Sequence, residues 1–102
     1  VKPIGTHNYF IYITTNLTKT TLYIGVTNNL ETRLHQHAQN QGNADTFAGK
    51  YHCYHLVYFE RFEFIEHAIK REKEIKKWRR EKKNNLITSF NSEWRFLNNE
   101  IK

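Results

Sequence analysis

The chain has 102 residues, 38% hydrophobic and 15% aromatic, which predicts one small domain over residues 1–102 with a modest core and argues against disorder. Sixteen Lys and Arg against ten Asp and Glu give a net charge of +6, and six His add to it on acidification, which points to a polyanionic partner. The lone Cys53 excludes an internal disulfide or a cysteine-rich zinc finger, and no apolar run reaches the ~18 residues of a membrane span, so a cytoplasmic chain with no membrane contact is expected.

Tyr9 to Thr15 (YFIYITT) is β-branched and aromatic and predicts a strand. Asn16 to Thr21 is a polar connection and Leu22 to Val26 a second strand, so the pair reads as a β-hairpin. Asn28 with Glu31 has the pattern of a capping box opening a helix from Leu30 to about Gln39, on which Arg33 and His37 share a face. Asn40 to Lys50, rich in Gly and small polar residues, predicts a mobile loop, and Tyr51 to Glu60 a third strand. From Glu63 to about Lys83 the residues Ile65, Ala68, Ile69, Ile75 and Trp78 step mostly by three and four, predicting one long amphipathic helix. Leu86, Ile87, Phe90, Trp94, Phe96 and Leu97 suggest a short final helical segment closing the core.

Nine of the sixteen cations lie between Lys70 and Lys83. Such a run is commonly a helix's solvated face, yet spread over most of the circumference it can track successive phosphates. Lys50, Lys76, Arg79, Arg80 and Lys83 are the candidates for contact with nucleic acid. Glu72 falls three after Ile69 and three before Ile75, on the stripe that should face the core, where a carboxylate is costly unless paired or metal-bound. Two readings stay open for it: an ion pair with Arg71, Lys76 or a cation on another element, or a ligand for Mg²⁺, which takes one or two carboxylates with water and phosphate oxygens. Asp45 is the only Asp, so a multi-Asp two-metal site is hard to assemble. His52 and His55 around Cys53 would alternate to opposite strand faces, which argues against zinc. Gly25, between strand and helix, allows close approach by backbone or phosphate, or only tight packing.

Phe10-Ile11-Tyr12, then Tyr23-Ile24-Gly25 beginning eleven residues after Tyr12, Arg33 ten after Tyr23, His37 four later and the acidic Glu72 together resemble the GIY-YIG nucleases. The run Tyr23 to Leu30 with Arg33 and Leu34 is similar to the small, stand-alone, single-module branch of that superfamily. So is the later series Arg71-Glu72, Ile75, Lys76, Trp78, Arg80, Lys83, Leu86, Ile87, Asn91 and Trp94. The resemblance covers about Asn8 to Leu97. It implies an α+β fold, a small antiparallel three-stranded sheet flanked by helices, in agreement with the order of elements read above.

The resemblance also implies roles. Tyr23 would be the general base or position the water, Tyr12 would orient water or phosphate, and Arg33 would neutralise charge on the phosphoryl oxygens. Glu72 would hold a divalent metal, Mg²⁺ or Mn²⁺, and His37 would assist proton transfer or bind phosphate. A free Tyr has a pKa near 10, so Tyr23 needs a neighbouring cation to act as a base. Phe10 stands where the family name has its first Gly, and Val26 where some members carry a basic residue. Asn84, Asn85 and Asn91 are all candidates for the Asn that some relatives place beyond the helix Glu. The implied activity is a metal-dependent endonuclease acting on nucleic acid, DNA rather than RNA, in repair or recombination, with a protein partner to supply specificity that so small a module lacks. The alternative is a non-catalytic nucleic-acid-binding module that keeps the scaffold.

Overall fold

A computed structural model of the chain describes residues 8–39 and 46–101. Asp45 and most of the expected loop, residues 40–45, lie outside the described residues. The strands are β1 (Tyr9–Thr15), β2 (Leu22–Thr27) and β3 (His55–Phe62). They form an antiparallel sheet in the order β2-β1-β3, so the hydrophobic β1 takes the doubly hydrogen-bonded centre. The helices are α1 (Leu30–Gln39), α2 (Phe47–Lys50), α3 (Ile65–Lys76) and α4 (Arg80–Phe90), and a 3₁₀ turn spans Asn98–Glu100. The fold is therefore α+β, a three-stranded antiparallel sheet with helices packed on it. Among the described residues no helix is long and apolar enough to cross a membrane.

Alternation along β1 divides the interior in two. Ile11 and Ile13 join Ile24, Val57, Ala68, Ile75 and Ile87 under α3 and α4. Tyr12 points to the opposite side and packs with Leu30, Leu34, Leu56 and Leu97 under α1 and the C-terminal segment. A bulge in β3 leaves Val57 unpaired between the partners Ile13↔Tyr58 and Thr14↔Leu56, which turns both Val57 and Tyr58 toward the α3 side.

Five sequence expectations change. The long helix over residues 63–83 is two helices: Lys77 caps α3 and Arg79, with an extended backbone (φ −65°, ψ 155°), caps α4. The turn folds Ile87 onto the cluster that Ile75 already joins, and both are fully buried, which a straight helix could not achieve. Trp78 sits in the corner, with the Arg71 guanidinium 5.2 Å and the Lys82 ammonium 4.2 Å from its ring centroid. The stripe of α3 is narrower than expected, because Ile65 and Ile69 remain exposed while Ala68 and Ile75 are buried.

The N-cap of α1 is Asn29 rather than Asn28: its Oδ1 accepts the Thr32 amide at 3.0 Å, and Glu31 is exposed. The third strand begins at His55, not Tyr51. Thr46 Oγ1 accepts the Gly49 amide at 3.0 Å and starts the single turn α2, while His52 adopts φ 57°. The final apolar residues divide, with Leu86, Ile87 and Phe90 on α4 and Trp94, Phe96 and Leu97 in an irregular return, in which Trp94 adopts φ 55°. That return pairs with β3, where the Leu97 amide donates to Leu56 O at 2.7 Å and Asn98 Oδ1 accepts the Leu56 amide at 2.8 Å.

Candidate functional site

Tyr12 on β1 lies opposite Gly25 on the edge strand β2. Its ring crosses the glycine so closely that a Cβ there would meet Oη at 2.5 Å and Cζ at 2.7 Å. Gly25 thus makes room for a side chain, rather than for backbone or phosphate. Tyr12 is 1% exposed, and its Oη is hydrogen-bonded to Nε2 of His37 at 2.9 Å. His37 is in the last turn of α1, one turn beyond Arg33, so the helix period aims both residues toward the β1–β2 tyrosines.

The rings of Tyr12, Tyr23 and His37 form a triangle, with centroids 6.1 Å apart for Tyr12–Tyr23, 5.7 Å for Tyr12–His37 and 5.3 Å for Tyr23–His37. Burial pushes the Tyr12 phenol well above the ordinary tyrosine range. The adjacent Tyr23 phenol, a hydrogen bond with it and the Glu72 carboxylate act in the same direction, while the Arg33 guanidinium opposes them. Burial first, and Arg33 second, hold His37 below its ordinary 6.5, so its imidazole is neutral at pH 7. Residues separated by as many as 60 positions, Tyr12 and Glu72, therefore act on one hydroxyl.

Glu72 lies on the sheet-facing side of α3 between Ala68 and Ile75, as its spacing predicts, and its side chain is 19% exposed. Of the pairings left open, Lys76 is realised, at 3.5 Å. Arg71 turns elsewhere and clamps α3 to β3 through Glu60 at 3.2 Å, with Glu74 at 2.6 Å. Among the described residues no three His, Cys, Asp or Glu cluster as a metal cage would require. A single half-buried carboxylate, whose charge reaches the Tyr12 hydroxyl, fits a hard cation that keeps most of its water, Mg²⁺ or Mn²⁺, and does not fit zinc.

Two aromatics that carried no motif extend the site. Phe47 on α2 stacks on Tyr23 (centroids 6.1 Å, 28° between planes), and Tyr51 packs on Phe47 at 4.7 Å. Their only trace in the sequence is a pair of aromatics four apart at the end of a polar stretch. Lys50 is exposed, with its ammonium 5.4 Å from the Tyr51 ring centroid.

The basic candidates differ in what they do. Lys76 and Arg79 are exposed and Lys83 half-buried, whereas Arg80 donates to the Thr20 carbonyl at 2.8 Å, the Lys19 carbonyl at 3.1 Å and Asn84 Oδ1 at 2.8 Å. Arg80 ties α4 to the β1–β2 turn. Asn91 is also committed: buried at the end of α4, it donates to the carbonyl of the bulged Val57 at 3.1 Å and of Arg95 at 2.8 Å, and accepts the Arg95 amide at 3.0 Å. Cys53 is buried, and burial pushes its thiol up to about 11, which leaves it an inert core residue.

A two-tyrosine hairpin backed by an Arg- and His-bearing helix, with a Glu-bearing helix across the sheet, defines a small nuclease-type domain. The family model of the GIY-YIG catalytic domain matches residues 8–85, and the chain belongs to the GIY-YIG family. It is also similar to UPF0213 proteins of Staphylococcus aureus strains Mu3, N315 and MW2, each 36% identical over 80 residues, 78% of this chain and 94% of the relative. No solved structure gives a significant match.

Proposed function

We propose that the chain is a divalent-metal-dependent endonuclease that hydrolyses phosphodiester bonds in nucleic acid, DNA foremost. The convergence of Tyr12, Tyr23 and His37 around one buried hydroxyl, within the fields of Arg33 and Glu72, carries this reading.

Arg33 has no carboxylate partner among the described residues, and a guanidinium so placed is suited to a phosphodiester oxygen. Tyr23, the more accessible phenol, positions the attacking water. The Tyr12 Oη–His37 Nε2 hydrogen bond and the adjoining Tyr23 phenol support a relay: as Tyr23 takes the proton from water, its own passes to Tyr12 Oη and that of Tyr12 to His37 Nε2. The raised pKa of Tyr12 keeps it from ionising, so it transmits a proton without losing one. Arg33 opposes charge on His37 in the free protein. A bound phosphodiester offsets that opposition, so the imidazole becomes a better acceptor when substrate is present. Glu72 would hold the cation, whose chemistry there is to stabilise charge on the leaving oxygen.

The Glu72–Lys76 contact favours a second reading, in which the carboxylate is structural and the domain binds nucleic acid without cleaving it. Incubation with Mg²⁺ or Mn²⁺ over single-stranded, duplex, flap and branched DNA, with RNA counterparts, separates the two. Cleavage is expected, and Glu72→Gln should lower it by orders of magnitude while metal-free affinity holds level or rises. Equal cleavage by the variant would return Glu72 to a structural role, and no cleavage of any substrate would establish the binding module.

A further inference from the structure

We propose that Phe47 and Tyr51 form a stacking platform for an unpaired nucleobase next to the bond being cut, so that the domain acts where a strand is single or frayed. The proposal rests on the nuclease reading for its placement. Both rings are large and solvent-facing, with Phe47 49% and Tyr51 42% exposed, although nearby apolar side chains such as Leu30 and Leu34 are buried. They touch each other and, through Phe47, the ring of Tyr23, so the platform is continuous with the candidate site rather than a separate patch.

The surroundings select the occupant. Lys50 places a cation beside Tyr51, and beyond Phe47 the ring of Tyr23 adjoins Tyr12 and His37, on which the Arg33 charge acts. Exposed aromatic faces set between cations are the arrangement that binds single strands, with bases on the rings and phosphates on the charges. A base inside a duplex has both faces covered by its neighbours and cannot use such a surface. A purely apolar protein partner would leave Lys50 to be desolvated without compensation.

The test measures binding without metal, so it does not depend on cleavage. The wild-type chain is titrated against a short single strand of DNA carrying 2-aminopurine and against the same sequence fully paired. Fluorescence of the single strand should change on binding. Tyr51→Leu and Phe47→Leu should each weaken single-strand affinity about tenfold, while duplex affinity changes little. Tyr51 does not stack on Tyr23, so its variant isolates the platform from any disturbance of the tyrosine triangle, and Phe47→Trp should restore binding. Thermal melts of each variant verify the fold. The proposal is overturned if wild type shows no fluorescence change, if the leucine variants bind the single strand as tightly as wild type, or if duplex affinity falls by the same factor. Cleavage by wild type with unaltered binding in both variants would remove the platform and leave the nuclease. Selective loss of single-strand binding in a chain that cuts nothing would do the reverse.

Discussion

The phenol of Tyr12 occupies the space that a β-carbon on Gly25 would need, 2.5 Å from its Oη. A clash at a side chain's far end is cheap to relieve only if that end can move, and Tyr12 is buried and held by His37 Nε2 at 2.9 Å.

Gly25→Ala should therefore destabilise the fold by about 1–3 kcal/mol through overpacking. By displacing the hydroxyl it should also cut the proposed cleavage about 100-fold. Denaturant melts and single-turnover rates on the same preparation measure both; wild-type rates would mean that the position of Tyr12 is irrelevant to chemistry.

His37 binds a proton less readily in the fold than in the unfolded chain, whose value is the ordinary 6.5. The unfolded state then takes up more protons on acidification, so stability is whole above pH 6.5 and is lost as the pH falls below it toward the folded pKa. His55, lowered by burial, works in the same direction. Melts between pH 7.5 and about 5 should show the decline, and His37→Gln should flatten part of it. Arg33→Gln should raise the His37 pKa, followed by imidazole proton resonances; an unmoved titration would show that Arg33 does not act on the ring.

Asn91 satisfies two carbonyls and one amide on two segments at once, Val57 in the bulge and Arg95 in the return. Asn91→Ala should cost about 1–3 kcal/mol, the penalty for stranding buried polar groups. Cleavage per folded molecule should persist. A stable but inactive variant would instead make Asn91 part of the site.

Arg79 and Lys83 form no ion pair among the described residues and Lys76 is held only by its contact with Glu72, whereas Arg80 is committed to the Lys19 and Thr20 carbonyls. Reversing those three to Glu should shallow the log-log salt dependence of DNA binding by about one unit for each phosphate that they neutralise. Arg80→Gln should chiefly lower the melting temperature, because it frees the turn at Lys19 and Thr20. Equal salt slopes for wild type and the triple reversal would move the binding face elsewhere.

The sheet and α1 were legible because their signals are local: alternating β-branched and aromatic residues mark β1, and Leu30 with Leu34 marks the buried face of α1. That Arg33 and His37 share a face could be read from the helix period, while the tyrosine positions came from the resemblance to the GIY-YIG nucleases. The corner at Trp78 could not. No Gly or Pro interrupts residues 77–79, so the helical period runs on through a break that exists only because Ile87 gains burial beside Ile75. Helix α2 is one turn fixed by Thr46, too short to leave a periodic trace, and Phe47 was hidden with it. The Glu72 stripe was visible, but which cation it pairs with depends on Glu60, from another element, claiming Arg71.

Both tryptophans of the chain, Trp78 and Trp94, pack against the cluster under α3 and α4, and the layer holding Tyr12 has none. Indole emission is therefore a one-sided observer of this molecule. An opening of α1 that exposes Tyr12 and His37 would pass unseen at tryptophan wavelengths, while tyrosine absorbance and amide exchange on α1 would register it. A melting curve recorded by tryptophan alone would date the collapse of the α3–α4 layer and assign that temperature to the tyrosines, whichever side lets go first.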